Sequence, residues 1–449
     1  MSNAKTVEEE EEKIIKTMDV TEDMDFVYEF KSPNLDKVLL HKPDLCTGCG
    51  ICVDICPSDA IELGPISEIA TGEIEAPYIM IDQDKCDYCG ICTLCPLNAM
   101  EFYFEDENIK EDDKSYPKLK TSHKLDEEKC VKCFLCEEVC PRDVIEADLN
   151  VKKKEDIVKY PKGVSFKDLE LKGNIEIDLE KCTYCKLCDK LCDALEIVPY
   201  EVSPLNIYGG RRIEVYEDEC DYCGLCQEIC PVDAIKVSCD SKVDRQIGEL
   251  SVEGEIKVNE DECIYCDWCG TVCFVDAIEV EKPIEGEITL QRLEYCDPSG
   301  CKACINICPT KAWYIPKQKD QKIAVDDRFC IYCGSCELSC CENCIIVDRE
   351  NVKHTEFDTG KPWAVSWKKA LQIIEGLQEE KVSRLIPIEE KEEVKKISHK
   401  IKEIPKVEPE IWQKFQEKLD DLLVILGRAP VRYYLEGKKD KKPKIKVEQ

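Results

Sequence analysis

The chain has 449 residues with 35 Cys, and its 95 Asp and Glu outweigh 62 Lys and Arg to give a formal net charge of −33. So acidic a surface repels nucleic acid and anionic lipid, and no stretch approaches the roughly 18 uninterrupted apolar residues of a membrane span. Cysteine at this density, in a chain far larger than the small secreted scaffolds, points away from a disulfide framework and toward thiolate metal ligation in a reducing compartment.

Residues 1–40 read as an acidic N-terminal segment. Met1 to Glu12 ends in the run Glu8 to Glu12 and holds no apolar core of a signal peptide, so a cytoplasmic chain is expected. A Cys-rich unit then recurs every 33 to 52 residues, eight times between Cys46 and Cys340. The first run is Cys46, Cys49, Cys52 and Cys56 before Pro57, and the second, one residue short in its last interval, is Cys86, Cys89, Cys92 and Cys95 before Pro96. The third is Cys130, Cys133, Cys136 and Cys140 before Pro141. The fourth, Cys182, Cys185, Cys188 and Cys192, is followed by Asp193. The fifth is Cys220, Cys223, Cys226 and Cys230 before Pro231, and the sixth, Cys263, Cys266, Cys269 and Cys273, is followed by Phe274. The seventh, Cys296, Cys301, Cys304 and Cys308 before Pro309, has two extra residues in its first interval. The eighth is Cys330, Cys333, Cys336 and Cys340, with Cys341 at the proline position.

Three thiolates spaced three residues apart on a tight loop can wrap three corners of a 4Fe-4S cube while loop amides point at the sulfurs. In bacterial-type ferredoxins the last Cys of one run ligates the cluster of its partner run, so two runs make one two-cluster domain. The fold class expected is therefore α+β: tandem two-cluster ferredoxin domains with about eight 4Fe-4S clusters, the 32 cysteines of the runs being the iron ligands. Sequential pairing, the simplest outcome of duplication, gives modules at 41–104, 120–202, 210–283 and 287–350. An offset pairing stays open. Segments such as Tyr78 to Ile81 and Ile175 to Ile177 read as small strands, and one short helix is expected to run through each fourth Cys until proline stops it. Zinc, the rival metal, prefers separated Cys pairs and often uses His; the chain has 4 His, in no ligand spacing.

Outside the runs, Tyr88, Tyr184, Tyr222, Tyr265 and Tyr332 each precede a second Cys and read as aromatic shields. Cys239, Cys341 and Cys344 are surplus; a small thiol without a ligand role is the first reading for all three, although Cys341 and Cys344 stand close enough to Cys340 to be alternative fourth ligands. His41, His123, His354 and His399 suit solvated or capping roles. No phosphate-binding loop or nucleophile elbow is present, so no catalytic residue is assigned. Residues 351–449 form a Cys-free arm with three apolar stripes at helical spacing: Trp363, Trp367, Leu371, Ile374 and Leu377; Val394, Ile397, Ile401 and Ile404; Trp412, Phe415, Leu419, Leu422 and Leu426. Such helices are expected to pack on the modules or on another subunit.

The eight unequal repeats, with the widened run from Tyr295 through Cys304 into Cys308-Pro309-Thr310-Lys311-Ala312-Trp313 and the Cys330 run after it, resemble the polyferredoxin subunit of archaeal formylmethanofuran dehydrogenase. The resemblance covers residues 40 to 350. It implies low-potential electron transfer to or from a tungsten or molybdenum enzyme that reduces carbon dioxide. Partners would be other subunits of that oxidoreductase, with heterodisulfide reductase or a hydrogenase beyond it. Other polyferredoxins that serve hydrogenases or energy-converting complexes share the pattern, as would a free electron reservoir.

Overall fold

Short strands flank every Cys run, and which flanks pair decides which runs belong together. The computed structural model describes residues 14–109, 116–318, 321–361 and 363–376. Around the first two runs, Ile61–Leu63 pairs antiparallel with Ile79–Ile81, and Leu35–His41 with Met100–Phe104. Around the last two, Ile284–Leu290 pairs with Ile345–Val352, and Trp313–Tyr314 with Ala324–Val325. Strand pairing thus puts the first run beside the second and the seventh beside the eighth.

The middle of the chain departs from that plan. Ser122–Leu125 pairs with Ile278–Glu281, and Ile145–Val151 with Val252–Val258, which joins the third run to the sixth. Gly173–Ile177 pairs with Ile235–Cys239, and Leu195–Pro199 with Gly210–Val215, which joins the fourth run to the fifth. The modules expected at 120–202 and 210–283 are thus replaced by one module nested inside another. The reason lies in register. Ile145, Ala147 and Val151 are buried on one face of their strand and sit opposite Val258, Ile256 and Val252, so the apolar alternation matches a partner about a hundred residues away. At the root of the insertion the Lys152 amide donates to the Ser251 carbonyl at 3.3 Å, so its two ends touch.

The N-terminal segment is likewise not a separate acidic piece. Ile15–Val20, Phe26–Ser32 and Leu35–His41 form an antiparallel meander continuous with Met100–Phe104 and Glu107–Asn108. Charge dominates its composition, but Tyr28 and Leu39 are buried facing each other across neighbouring strands. Of the C-terminal stripes, the first forms the helix Ala364–Ile374, which buries Ala364, Trp367, Ala370, Leu371 and Ile374. Trp367, Ala370, Leu371 and Ile374 join one apolar core with Ile51, Cys52 and Ile55 of the first module, so this helix packs on the modules. Trp363, half exposed, stacks on Tyr116 at 6.1 Å between ring centroids. Leu377 and the second and third stripes lie outside the described residues.

The same core spans module boundaries. Trp268, between two Cys of the sixth run, stacks on Phe329 ahead of the eighth run with centroids 3.5 Å apart, and its Nε1 donates to the Thr310 carbonyl at 2.6 Å. A second core joins Leu187, Leu191, Leu195, Leu225 and Ile229 of the inserted module to Phe134, Ala147 and Val151 of the enclosing one.

Candidate metal centres

All runs but the seventh, which has Pro298 two after its first Cys, follow nearly the same backbone path. The residue two after the first Cys takes the left-handed conformation, with φ of +63° at Gly48, +50° at Tyr88, +53° at Lys132, +55° at Tyr184, +54° at Tyr222, +52° at Tyr265 and +51° at Tyr332. That turn brings its amide onto the first thiol: Gly48 N–H to Cys46 Sγ at 3.5 Å, Tyr88 to Cys86 at 3.4 Å, Tyr184 to Cys182 at 3.4 Å and Tyr222 to Cys220 at 3.3 Å. A non-glycine residue there costs on the order of 1 kcal/mol. The tyrosines recover packing against the neighbouring ribbon. A Cβ added to Gly210 would lie 2.1 Å from the Tyr184 ring, and one added to Gly173 would lie 2.4 Å from the Tyr222 ring, so each ring lies against a bare backbone. Beyond the shield expected of them, Tyr184 and Tyr222 thus set how closely the neighbouring ribbon approaches.

The helices differ from expectation. Leu135–Val139, Leu187–Leu191, Leu225–Ile229 and Ala303–Ile307 all run through the third Cys and end before the fourth, which is extended. Proline is not the cause, since the helix before Cys192 stops in the same place with Asp193 following. Leaving the helix turns the fourth thiol toward the other run. There it accepts the amide four residues on, from Ala60 to Cys56 at 3.3 Å, Ala234 to Cys230 at 3.2 Å, Ala277 to Cys273 at 3.3 Å and Cys344 to Cys340 at 3.1 Å. Cys344 thus occupies the small buried position that alanine fills elsewhere, whereas Cys341 is exposed.

The fourth thiols cross over within each strand-paired couple. Cys95 is a close electrostatic neighbour of Cys46, Cys49 and Cys52, and Cys56 of Cys86, Cys89 and Cys92. Cys273 neighbours Cys133, and Cys140 neighbours Cys263 and Cys266. Cys230 neighbours Cys182, Cys185 and Cys188, and Cys192 neighbours Cys220 and Cys226. Cys340 neighbours Cys296 and Cys304, and Cys308 neighbours Cys330 and Cys336. The result is eight four-thiol sites, numbered here by the run that supplies three of the four.

Contacts also link sites of different modules. Cys133 of site 3 neighbours Cys185 of site 4, and the Phe134 amide donates to the Cys185 carbonyl at 3.3 Å. Cys49 of site 1 neighbours Cys333 of site 8, where Thr47 and Ser335 hydroxyls bond at 2.6 Å. Asn98 Nδ2 donates to the Cys263 carbonyl at 2.9 Å, tying the first module to site 6.

Burial raises the thiols. Cys46 is pushed up to about 12 by burial and by Cys95 beside it, and Cys136 and Cys226 likewise to about 12 by burial and by neighbouring thiols of their own runs. Loss of these protons needs a positive partner, which iron supplies on binding. The donor set fits a cluster better than one ion. Zinc would draw four sulfurs to within roughly 4 Å of one another. Among the described residues no group of three or more Cys, His, Asp or Glu converges tightly enough to hold a single metal ion. Instead, Cys140, Cys263, Cys266 and Cys269 line a common cavity, and Cys192, Cys220, Cys223 and Cys226 another.

Sequence reasoning missed the cations that cover the outside of these loops. With amides turned to sulfur, loop carbonyls are left over. Lys16 Nζ takes those of Gln83 and Cys86 at 2.7 and 3.1 Å, Lys322 that of Cys296 at 2.6 Å, and Lys282 that of Cys330 at 3.0 Å. Arg245 takes those of Asp221 and Tyr222 at 2.6 and 2.8 Å, and Arg349 those of Tyr332 and Cys333 at 2.9 and 2.5 Å. Lys16, Lys282 and Lys322 lie from 26 to 70 residues from the carbonyls they bind, so no local pattern signals them. His41 also departs from a solvated role. It is buried against Phe26, and burial lowers its pKa to about 4.

Residues 45–99 and 129–195 match the 4Fe-4S dicluster domain, and residues 213–236 match the 4Fe-4S binding domain. The chain carries 4Fe-4S ferredoxin domains. The dicluster match at 129–195 takes the third and fourth runs together, as neighbours in sequence, whereas strand pairing assigns them to different modules. Among relatives, the polyferredoxin protein FwdF of Methanocaldococcus jannaschii is 38% identical over 88 residues, 19% of this chain and 24% of that one. The match thus spans about a quarter of that relative. The methylamine utilization ferredoxin-type protein MauM of Methylophilus methylotrophus is 29% identical over 176 residues, 37% of this chain and 70% of that one. A chain of the formate dehydrogenase, heterodisulfide reductase and formylmethanofuran dehydrogenase complex from Methanospirillum hungatei aligns with 79% of this chain and 91% of its own length, at 25% identity and a TM-score of 0.49. No helix among the described residues is long and apolar enough to cross a membrane.

Proposed function

We propose that the chain is a polyferredoxin that conducts low-potential electrons through about eight 4Fe-4S clusters, with the 32 cysteines of the eight runs as ligands. It is not catalytic by itself. It serves as a cytoplasmic subunit of a larger oxidoreductase, formylmethanofuran dehydrogenase first, with heterodisulfide reductase or a hydrogenase as further partners. The observation that carries this reading is the crossing of the fourth thiols, which makes four-thiol sites of runs that each close only with a partner. The match to a polyferredoxin from a methanogen supports the choice of enzyme.

A bound 4Fe-4S cluster supplies reversible one-electron storage at a potential that charge, hydrogen bonds and exposure adjust. The chain does the rest by spacing and shielding the sites. Sites 5, 4, 3 and 6 adjoin in that order through Cys226 and Cys188, Cys185 and Cys133, and Cys136 and Cys269. Site 6 then meets the first module at Asn98, and site 1 meets site 8 at Cys49 and Cys333. From there site 2 ends one branch and site 7 another. This reading makes the relay branched, with Cys226 at a tip. Anoxic iron and sulfide analysis should find about 32 irons per chain. Zinc, or half that load, contradicts the reading, and the subunits that co-purify identify the enzyme served.

A further inference from the structure

At the point where three sites meet, one cation has no outlet for all of its donors. Arg142 follows Cys140-Pro141 at the end of the third run. Its Nη2 donates to the Leu45 carbonyl at 2.9 Å, just ahead of the first run, and lies 3.5 Å from that of Leu97, just after the second. Its Nε is buried and has no hydrogen-bond partner in the protein. A buried donor left unpaired is costlier on a charged group than on a neutral one. The same side chain lines the cavity formed by Cys140, Cys263, Cys266 and Cys269 of site 6. Its charged neighbours are Cys95 of site 1, Cys266 of site 6, Cys333 of site 8 and the carboxylate of Glu262. The cations over the other loops differ, since Lys16, Lys322 and Lys282 spend their donors on carbonyls of a single run.

We propose that Arg142 sets the potential at the junction of the branches: it donates its Nε–H to a sulfur of the cluster held at site 6 and lends its positive charge to sites 1 and 8. Each electron taken up adds one negative charge, and where three sites adjoin those charges repel. A fixed cation among them, unable to lose its proton, offsets that repulsion and favours the reduced forms. Lysine would bring charge without the planar fork that reaches Leu45, Leu97 and the cavity together. This inference rests on the cluster reading above, and iron content separates the failure of one from the failure of the other.

The test is a redox titration of the full chain, followed by electron paramagnetic resonance, on the parent and on Arg142→Gln, each with its iron measured. With iron unchanged, the variant should show one cluster harder to reduce by at least tenfold in its equilibrium, which is about 59 mV for a one-electron couple. Two others should shift less in the same direction. The largest shift should be missing from a Cys269→Ser background, which assigns it to site 6. Arg142→Lys should recover the smaller shifts but not the largest. Should Arg142→Gln fail to load, Glu262→Gln removes the opposing charge without touching a ligand and should make the same sites easier to reduce. Midpoints that match the parent in the loaded variants would overturn the proposal.

Discussion

The first and last modules and the nested middle of the chain use the same loop, yet they teach opposite lessons about reading it. In residues 45–99 neighbours in sequence are partners in space, and Cys56 and Cys95 exchange over a short distance. In residues 122–281 the third run reaches past two others to the sixth, and Cys140 and Cys273 exchange across the whole insertion. The Cys spacing is a statement about one site, whereas pairing is a statement about strands. Order along the chain is therefore not the order of the sites in the proposed relay.

The largest effect expected from this difference is the contrast between two serine variants. Cys269→Ser removes site 6, through which the proposed path from the inserted module to sites 1, 2, 7 and 8 runs, and Cys226→Ser removes a tip. Serine oxygen is a poor replacement for thiolate on iron, so each should lose about four irons. With a photoreductant tethered at an exposed Lys162→Cys in the inserted module, Cys269→Ser should abolish reduction of sites 1, 2, 7 and 8 on the fast phase. Cys226→Ser should leave it intact. Equal, proportional losses would mean sites that store charge in parallel.

Next in size is the joint between modules. Trp268→Ala deletes a fully buried ring stacked on Phe329 and leaves Thr310 without its indole donor, and should cost about 3–5 kcal/mol in anoxic thermal unfolding. An unchanged melting temperature would deny that the middle and last modules share a core.

A smaller effect lies within the insertion. Gly173→Ala drives a methyl into Tyr222 and the Ser238 carbonyl, at 2.4 Å each, across the ribbon between the fourth and fifth runs. It should destabilise by about 1–3 kcal/mol, the usual cost of overpacking. If those runs belonged to different modules, this site would be open and the change neutral. Smallest of all, Tyr222→Phe keeps the ring and the left-handed backbone, and should leave iron content and midpoints unchanged. A slowed transfer in that variant would give the phenol a redox role that packing alone does not require.

Much of this was legible beforehand. Thiol spacing carries the 32 cysteines into eight loops because each turn is local. Cys344 is open in the sequence between a bystander thiol and an alternative ligand, and only the folded loop shows it standing where Ala60, Ala234 and Ala277 stand. What was not legible is what distance hides. Ile145–Val151 finds Val252–Val258 by register, and Lys282 finds Cys330 from another module. The strands before His41 are masked by charge on their exposed faces. The proline that usually follows the fourth Cys points to a helix end that is too late, since Leu187–Leu191 stops before Cys192 with no proline after it.

Nesting itself is open to one direct measurement. Lys152 and Ser251 already touch, so residues 153–250, which hold the whole of the fourth and fifth runs, can be excised and the ends joined by a short Gly-Ser bridge. Iron and sulfide are then counted in the anoxically purified product. If the third run pairs with the sixth, six sites remain whole and the shortened chain should hold about 24 irons. If instead the third pairs with the fourth and the fifth with the sixth, two runs lose their partners and the load should fall to about 16.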